Sequence, residues 1–432
     1  MNTTTAKRPP LMPLDEALAA LLARATPLAR TEEVSTFEAD GRVLAQDLVS
    51  PLHVPPHDNS AMDGYALRAA DAATPGTVLP VSQRIAAGQA GAPLAPGTAA
   101  RIFTGAPLPE GADTVVMQEE AEALDGGARV RLPAAPAAGQ WVRRAGEDIA
   151  QGAKVLQKGE RLTPASIGLA ASVGASRLCV AARPRVALLS TGDELVMPGD
   201  VPPAQMKPGA IYNSNRFVLR ALLQRLGCAV SDLGIVPDDR AATLAALAQA
   251  AEGHDLILTS GGVSVGEEDH IKPAVQQLGA LALWQIAMKP GKPFAFGHVG
   301  HVNRTAGMAG TQGADAAHAG AHFIGLPGNP VSSLATFVLL VRPFVLRLMG
   351  VADVAVPAQP LRADFAWPRP DKRREFLRVR RNATGGLDLY PNQSSGVLTS
   401  AHWADGLVDL PAGHTIAPGD TVRFLSLKEL LA

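Results

Sequence analysis

LILTSGGVSVGEEDHIKP, residues 256–273, begins as an apolar run and then breaks into glycine and acid. Residues 256–258 show no polar alternation, which is typical of a strand buried on both faces of a parallel sheet. Gly261 and Gly262 permit a sharp turn directly afterwards, because glycine adopts positive φ at no steric cost. The stretch therefore predicts a buried strand that ends in a tight loop.

The loop after this strand carries groups that could bind an anion. Ser260 and Ser264 add hydroxyls to the exposed backbone amides of the turn, a combination that suits phosphate or another oxyanion. The carboxylates of Glu267, Glu268 and Asp269 would repel such a ligand unless a cation lay between them. A divalent metal ion that bridges the oxyanion to Asp269 would resolve this conflict. An ordinary strand-to-helix turn is the alternative, since the helix dipole favours acids in a first helical turn.

Strand and helix patterns alternate along the chain before this loop. They occupy residues 185–190 (strand), 215–226 (helix), 230–236 (strand) and 240–251 (helix). Such alternation predicts a doubly wound parallel sheet, which binds ligands at the carboxyl ends of its strands. The loops TGDEL, PDD and TSGGVSVGEED follow three successive strands, so Glu194, Asp239 and Asp269 are expected to share one rim.

Two proline-containing loops lie beyond this point. MKPGKPFAFG contains Lys289 and Lys292, and FIGLPGNPVSS contains Pro327 and Pro330. Because proline restricts the backbone, each loop can hold its groups in place without a large ordering cost when a ligand arrives. A lysine pair is usually solvated, but each of these lysines adjoins a proline before an apolar strand, which favours an anion contact.

The N-terminal part combines a docking helix at 14–28 with a β-rich module at 77–142. Between them lies PLHVPPHDNSAMDGYALRAAD, which is rich in proline and turn formers and is predicted to be a surface loop. Asp63 in this loop could belong to a site, or could form an Asx turn or a helix cap. Thr104, at a strand end, could bind a substrate oxygen or close a turn.

The C-terminal part follows Gly350 and a proline-rich linker. Its short strands predict a small β-barrel or sandwich. The basic cluster DKRREFLRV contains Arg373, and NQSSGVLTS contains Ser395. Arginine suits oxyanions because its guanidinium group is planar and permanently charged. The alternative is that this basic cluster lies in a solvated turn and binds nothing.

Composition bounds the class of protein. The 432 residues suggest roughly three domains or a little more. A net charge of −1 gives no general attraction to nucleic acid or to an anionic membrane. Cys179 and Cys228 lack CxxC partners and are predicted to be buried thiols in a reducing compartment. No apolar run is predicted to span a bilayer and no secretory signal is visible, so the cytoplasm is expected.

A Gly-, Ala- and His-rich segment precedes Phe323. It contains His298, His301, His318 and His322. Their flexible spacing, without cysteine or acid partners, favours a solvated loop over a metal site.

Together the motifs resemble one protein family. SAMDGYAL, RIFTGAPLPEGADTVV, STGDEL, TSGGVSVGEEDHIK, KPGKPFAFG and GLPGNPVSS occur in this order along the chain. The set resembles the molybdopterin molybdenumtransferase family, a relative of the gephyrin C-terminal domain, over nearly the whole chain.

This resemblance implies an α/β multidomain fold and an elongated homodimer. The four implied domains are a molybdopterin-binding three-layer sheet domain (11–28 and 183–350), a small elongated domain (29–50 and 147–182), a β-rich domain (51–146) and a C-terminal β-barrel (357–432). The family also implies that Asp63 completes the cleft of the other subunit.

The implied reaction inserts molybdate into adenylyl-molybdopterin with magnesium-dependent release of AMP. The candidate catalytic residues are Asp63, Glu194, Asp239, Asp269 and Lys289. The candidate substrate-binding residues, from the resemblance and from the loop chemistry above, are Thr104, Ser260, Gly261, Gly262, Ser264, Lys292, Pro327, Pro330, Arg373 and Ser395. Asp269 and Glu194 are the candidate magnesium ligands, and the adenylyltransferase of the same pathway is an expected partner.

Two other functions are compatible with parts of the pattern. Molybdopterin adenylyltransferase would need only the sheet domain, and a gephyrin-like scaffold would not need a working cleft. Gln285 stands where some relatives have lysine, and either Arg373 or Arg374 could match the family's arginine.

Overall fold

A computed structural model describes residues 11–263, 270–300 and 320–431, with residues 283 and 284 described by their backbone alone. The chain divides into two units. The larger unit comprises residues up to 32, residues 41–43 and residues from 181 onward, and the smaller one comprises 33–40 and 44–180. The finer division into four domains remains a prediction.

The helices within the described residues are short to medium in length. They are α1 (Leu14–Leu22), α2 (Pro164–Ser172), α3 (Ser214–Arg225), α4 (Arg240–Ala251), α5 (Ile271–Leu278), α6 (Pro330–Thr336), α7 (Arg342–Leu348), α8 (Leu398–Trp403) and α9 (Leu427–Leu430). Short 3-10 helices lie at Thr36–Glu38, Ala69–Ala72, Gln118–Glu120, Asp125–Gly127 and Pro203–Gln205.

The strands follow the same numbering along the chain. In the first half they are β1 (Thr31–Ser35), β2 (Leu48–Val49), β3 (Asn59–Ser60), β4 (Gly64–Leu67), β5 (Thr77–Ile85), β6 (Ala99–Ile102), β7 (Thr114–Met117), β8 (Glu122–Leu124), β9 (Arg129–Leu132), β10 (Val142–Arg143), β11 (Lys154–Leu156) and β12 (Arg177–Ala181). In the second half they are β13 (Arg185–Thr191), β14 (Leu195–Val196), β15 (Ile211–Tyr212), β16 (Ala229–Val236), β17 (Leu256–Ser260), β18 (Gly279–Gln285), β19 (Met288–Lys289), β20 (Pro293–Val299), β21 (Ala321–Leu326), β22 (Gln359–Arg362), β23 (Arg374–Arg381), β24 (Leu387–Leu389), β25 (Gly406–Leu410) and β26 (Thr421–Ser426).

The larger unit is built on a six-stranded sheet in the order β16-β13-β17-β21-β20-β18. The first four strands are parallel, and β20 runs antiparallel to both β21 and β18. The predicted parallel sheet is confirmed, with this antiparallel strand added towards one edge. The chain passes from β13 to β16 on one side and then to β17 on the other, so the strand order reverses at β13. Such a switch point is where open α/β sheets bind ligands.

The central strands are buried on both faces. Val186 and Leu188 of β13 join one hydrophobic cluster, whereas Ala187 and Leu189 join another on the opposite face. This matches the two-residue side-chain period of a strand with helices on both sides. The result is a three-layer domain.

One helical stretch, Pro330–Leu348, forms the middle of the first of these clusters. α6 continues through a π-helical turn, Phe337–Val341, into α7. Pro343 cannot donate a hydrogen bond to the carbonyl four residues earlier, and a π turn at that point accommodates the loss. By length and composition this helix could cross a membrane, but 83% of its apolar window is buried inside the protein.

The predicted C-terminal barrel is confirmed. β23, β25, β26 and β22 pair in that order, and β24 pairs with β23. A bridge between Ala363 and Leu387 joins the two ends of this path and closes the ring. β19 also pairs in parallel with β23, so the KPGKP loop starts at the barrel.

The smaller unit contains a six-stranded sheet in the order β7-β4-β6-β5-β9-β8. The strands expected between residues 77 and 142 are present. The surface-loop prediction was wrong for Gly64–Leu67, because these residues form β4, a fully buried strand between β6 and β7. Gly64 makes this possible, since a Cβ there would lie 1.9 Å from the Val116 carbonyl oxygen.

A buried carboxylate ties three barrel strands together. Asp409 on β25 is 4% exposed and accepts hydrogen bonds from Arg374 at 2.5 and 2.6 Å, while Arg423 lies 3.0 Å away.

Asp409→Asn removes the charge that compensates both arginines, so the free energy of unfolding should fall by about 3 kcal/mol. Calorimetry measures this loss. Asp364→Asn is the control, because its pair with Arg362 is exposed to solvent and should contribute much less to the free energy of unfolding. Equal losses in the two variants would contradict the role given to Asp409.

Candidate functional site

A cavity of about 780 Å³ opens where β13, β17 and β21 end, at the switch point of the sheet. Six of the predicted site residues line it: Glu194, Ser260, Gly261, Gly262, Pro327 and Pro330. The remaining lining residues are Thr191, Gly192, Leu195, Ile211, Tyr212, Asn213, Ser214, Asn215, Asp238, Val263, Pro293, Gly328, Asn329, Ser332 and Gly396. Its volume lies in the range of small-molecule and cofactor sites.

The glycine turn after β17 requires glycine at both positions. Gly261 and Gly262 have φ of +91° and +63°. A Cβ at Gly261 would lie 2.6 Å from the Thr191 carbonyl oxygen, and one at Gly262 would lie 2.6 Å from the Thr191 hydroxyl. The turn therefore packs directly against the end of β13, which brings the start of the TSGGVSVGEED loop beside the TGDEL loop.

Asn215 joins the glycine turn to the LPGNP loop. Its side-chain amide donates to the Ser260 hydroxyl at 2.8 Å and to the Gly328 carbonyl at 2.7 Å, and the residue is 8% exposed. Sequence reasoning placed Asn215 at a helix start and missed this role. The sequence did contain a signal in IYNSN, at the start of α3. One asparagine is enough to cap a helix, and Asn213 does so, which leaves Asn215 for another role.

The acids of the rim divide between the cavity and a helix end. Glu194 lines the cavity, and its carboxylate has no hydrogen-bond or ion-pair partner among the described residues. Asp238 also lines it and exchanges hydrogen bonds with Asp193, each accepting from the backbone amide of the other. Asp239 instead caps α4, accepting from the Ala242 amide at 2.8 Å. A catalytic role for Asp239 therefore remains a prediction. The acid that lines the cavity is its neighbour, Asp238.

The oxygen donors at this cavity fit a magnesium ion. Glu194 and Asp238 supply carboxylates, and the buried Thr191 hydroxyl has no hydrogen-bond partner among the described residues. Magnesium prefers hard oxygen donors, retains several waters and often needs only one or two protein carboxylates. Asp269 and Ser264 lie outside the described residues, as do Glu267, Glu268, His301 and His318.

The predicted cations of the KPGKP loop differ in their surroundings. Lys289 lies 2.9 Å from a Glu375 carboxylate oxygen and 3.2 Å from an Asp371 oxygen. Burial opposes its charge, but its hydrogen bonds to Glu375 and Asp371 outweigh this effect and raise the pKa of the Lys289 ammonium. Lys292 is half-buried and forms no ion pair with a described residue. Neither lysine is among the lining residues of the cavity.

The barrel reaches the cavity through its NQSSG loop. The Ser395 carbonyl accepts from the Val331 amide in the first turn of α6, and Gly396 lines the cavity. Arg373 pairs with Asp371 at 3.1 Å, whereas Arg374 pairs with Asp409 and with Asp15. The choice between these two arginines remains a prediction.

Arg378 is a buried cation to which the sequence analysis gave no role of its own, because it was counted only as part of the basic cluster DKRREFLRV. It is 1% exposed and donates only to neutral oxygens within the described ranges: the Ser400 hydroxyl and the Phe376 and Ser394 carbonyls, each at 3.2 Å. Burial lowers the pKa of its guanidinium to about 10. A buried positive charge without a carboxylate, next to Ser395, favours an anion nearby. The signal in the sequence was its position inside the apolar strand pattern EFLRV.

The smaller unit holds a second group of predicted residues. The Asp63 carboxylate accepts from both the backbone amide and the hydroxyl of Thr104, each at 2.8 Å. These bonds connect the SAMDGY and TGAPLP loops, so the carboxylate of Asp63 does not serve as a local helix cap. The pKa of Asp63 is lowered by these two hydrogen bonds.

Comparison with known proteins agrees with this architecture over its whole length. Three family models match in succession: the MoeA N-terminal region (domain I and II) at residues 12–174, a probable molybdopterin binding domain at 187–347, and the MoeA C-terminal region (domain IV) at 360–427. A crystal structure of the molybdopterin biosynthesis MoeA protein from Pyrococcus horikoshii matches with a TM-score of 0.82 and 26% identity, covering 96% of this chain and 100% of that one.

Relatives with assigned names extend the comparison. The molybdopterin molybdenumtransferase of Haemophilus influenzae is 40% identical over 340 residues, which is 79% of this chain and 78% of that protein. Molybdopterin molybdenumtransferase 2 of Mycobacterium tuberculosis is 38% identical over 393 residues, or 88% and 90% of the two chains.

A three-layer sheet with a glycine turn at its switch point, followed by a β-barrel, defines a multidomain protein of the molybdopterin-binding class. The chain belongs to the molybdopterin molybdenumtransferase family, whose members are transferases of molybdenum cofactor biosynthesis.

The Asn215 amide should hold both loops in place. Asn215→Ala leaves the Gly328 carbonyl and the Ser260 hydroxyl without their donor, which should cost about 1–3 kcal/mol. Hydrogen–deuterium exchange should be faster in residues 256–263 and 326–331, whereas the barrel strands serve as the internal control. Ser260→Ala should cost less in the Asn215→Ala background than in the wild type. Additive costs and unchanged exchange would contradict the link.

The hydrogen bonds from Thr104 should be visible in the titration of Asp63. A depressed folded-state pKa contributes stability above the ordinary carboxyl pKa of about 3.9, and that stability is lost as the pH falls through the folded value. Thr104→Val removes the hydroxyl bond, so the Asp63 carboxyl pKa should rise towards its ordinary value in an NMR titration. An unchanged pKa would show that the backbone amide alone sets the shift.

Proposed function

We propose that this protein inserts molybdate into adenylyl-molybdopterin and releases AMP in a magnesium-dependent reaction. The observation that carries the proposal is the cavity itself, where the glycine turn, the LPGNP loop and the Glu194 carboxylate, which has no partner among the described residues, meet at the switch point. Backbone amides, hydroxyls and an acid without a counter-charge suit a phosphate-bearing pterin accompanied by a cation.

The residues of the cavity would bind and orient the pterin and its anhydride. The phosphoric anhydride bond is cleaved with water, which yields AMP and the phosphate end of molybdopterin. The Gly261–Gly262 turn lets the backbone approach a ligand closely because it has no side chains there. The Gly261 amide donates to the Leu326 carbonyl, so the Gly262 amide is the one proposed to meet the phosphate. Ser260 offers a hydroxyl held in place by Asn215. A site that positions both ends of the anhydride lowers the entropy cost of reaction.

Glu194, together with Asp269, would hold the magnesium ion. When bound, this ion neutralises charge on the phosphate oxygens as a Lewis acid. Asp238 is a further carboxylate at the same cavity and could accept a hydrogen bond from a water ligand. Within residues 11–263, 270–300 and 320–431 the Glu194 carboxylate has no partner, which supports this assignment because its lone pairs are then available to a metal ion.

Molybdate would be held by the cations of the KPGKP loop and the barrel. Lys289, Lys292 and Arg373 remain the proposed contacts, and Ser395 would close over the oxyanion. Arg378 strengthens this proposal, since its buried charge lies beside the Ser394 carbonyl and has only neutral partners among the described residues. An oxyanion bound at this loop would supply the missing compensation.

Partners and compartment follow from the same proposal. Asp63 and Thr104 would contribute to the site of a second subunit in a homodimer, and adenylyl-molybdopterin would come from the adenylyltransferase of the pathway. We place the reaction in the cytoplasm, without nucleic acid or membrane partners, in keeping with a net charge of −1.

A reconstitution assay tests the proposed reaction. Purified protein incubated with adenylyl-molybdopterin, magnesium and molybdate should release AMP and yield a cofactor that activates an apo-molybdoenzyme. Formation of adenylyl-molybdopterin from ATP and molybdopterin would indicate the adenylyltransferase instead. Tight binding of the pterin without any AMP release would indicate a scaffold.

Asp269→Ala tests the metal assignment in that assay. Loss of one of two proposed carboxylates should lower magnesium-dependent AMP release on the order of a hundredfold or more, with folding unchanged. Glu267→Ala, two residues earlier in the sequence and outside the proposed ligand pair, is the matched control. Equal AMP release by wild type and Asp269→Ala would refute the assignment.

A further inference from the structure

Four charged side chains form a closed network where β19 meets β23. The Lys289 ammonium lies 3.2 Å from Asp371 and 2.9 Å from Glu375. The Arg373 guanidinium donates to both oxygens of Asp371, each at 3.1 Å. Two cations and two carboxylates cancel, so the network as a whole has no net attraction for an anion.

The two carboxylates of this network are held very differently. Glu375 is 2% exposed, and its second oxygen accepts from the Trp367 indole at 2.9 Å. Asp371 precedes β23 in a loop, and its side chain is 21% exposed. Asp371 is therefore the carboxylate that can leave its cations at lower cost, because it regains hydration when it moves.

We propose that Asp371 is an internal substitute for the oxyanion substrate, occupying Lys289 and Arg373 until a tetrahedral dianion such as molybdate displaces it. The forked contact of a guanidinium with two carboxylate oxygens has the same geometry as its contact with two oxygens of an oxyanion. The Arg373 hydrogen bond holds the pKa of the Asp371 carboxyl well below its usual range, so the group is an anion at neutral pH. This inference rests on the proposed function only for the assignment of the two cations.

Competition of this kind sets the affinity and selectivity of the site. A monoanion gains little by replacing a carboxylate of equal charge, whereas a dianion brings twice the charge to the same two cations. Glu375 remains in place throughout and keeps Lys289 oriented. The site should therefore favour molybdate over singly charged anions, at the cost of a weaker affinity than two unpaired cations would give.

Isothermal titration of the full-length protein with molybdate tests the proposal. Asp371→Asn keeps the shape of the side chain but removes the competing charge, so the Kd for molybdate should fall roughly tenfold. The Kd for sulfate, a second dianion, should fall by a similar factor in Asp371→Asn, and the Kd for chloride should fall by less. Asp364→Asn is the matched control, because Asp364 pairs with Arg362 on the same barrel and its side chain is 27% exposed; its Kd for molybdate should equal that of the wild type.

Other outcomes would overturn the proposal. A higher Kd in Asp371→Asn would make Asp371 a fixed support that aligns the cations. An unchanged Kd, or no binding by either protein, would mean that Lys289 and Arg373 are not exchanged between carboxylate and oxyanion. AMP release by the wild type is measured separately, so an active enzyme with an unchanged Kd in Asp371→Asn fails this inference alone.

Discussion

The burial of β13 and β17 on both faces is the constraint on which the larger unit depends. Every residue of β17 is buried, as is β13 from Val186 onward, and apart from Arg185 at the start of β13 the polar side chains of both strands are hydroxyls at their carboxyl ends. Polar function can then appear only where these strands stop. The glycine turn lets β17 end directly against the last residue of β13, which places hydroxyls, amides and acids around one opening.

Charge in the site is arranged by pairing as much as by position. Glu194 lines the cavity and has no counter-charge in the part of the chain that the structure describes, while Lys289 and Arg373 share Asp371. Arg378 is the reverse case, a buried cation with neutral acceptors. Under the proposed function, carboxylates at the cavity would hold the metal ion, and cations now paired with Asp371 would hold the oxyanion, so the two ligands would bind at separate places.

Sequence reasoning succeeded where the signal was local and failed where it was not. The alternating elements and the turn at Gly261 follow from hydrophobic periodicity and from φ requirements, which a short window contains. Gly64–Leu67 was assigned to a loop because the proline-rich segment before it obscured a four-residue strand. Asp238 and Asp239 are neighbours with similar chemistry, and only the start of α4 decides which of them becomes the cap.

The sequence by itself determined the order of elements, the class of each domain and the loops that would carry chemistry, because backbone preferences and burial patterns are written in consecutive residues. The tertiary structure alone decided the partner of each charged or amide group. Asn215 meets Gly328, and Lys289 meets Glu375, because distant segments are packed side by side. Electrostatic and hydrogen-bond energies depend on distances of a few ångströms between such segments, and no local pattern specifies those distances.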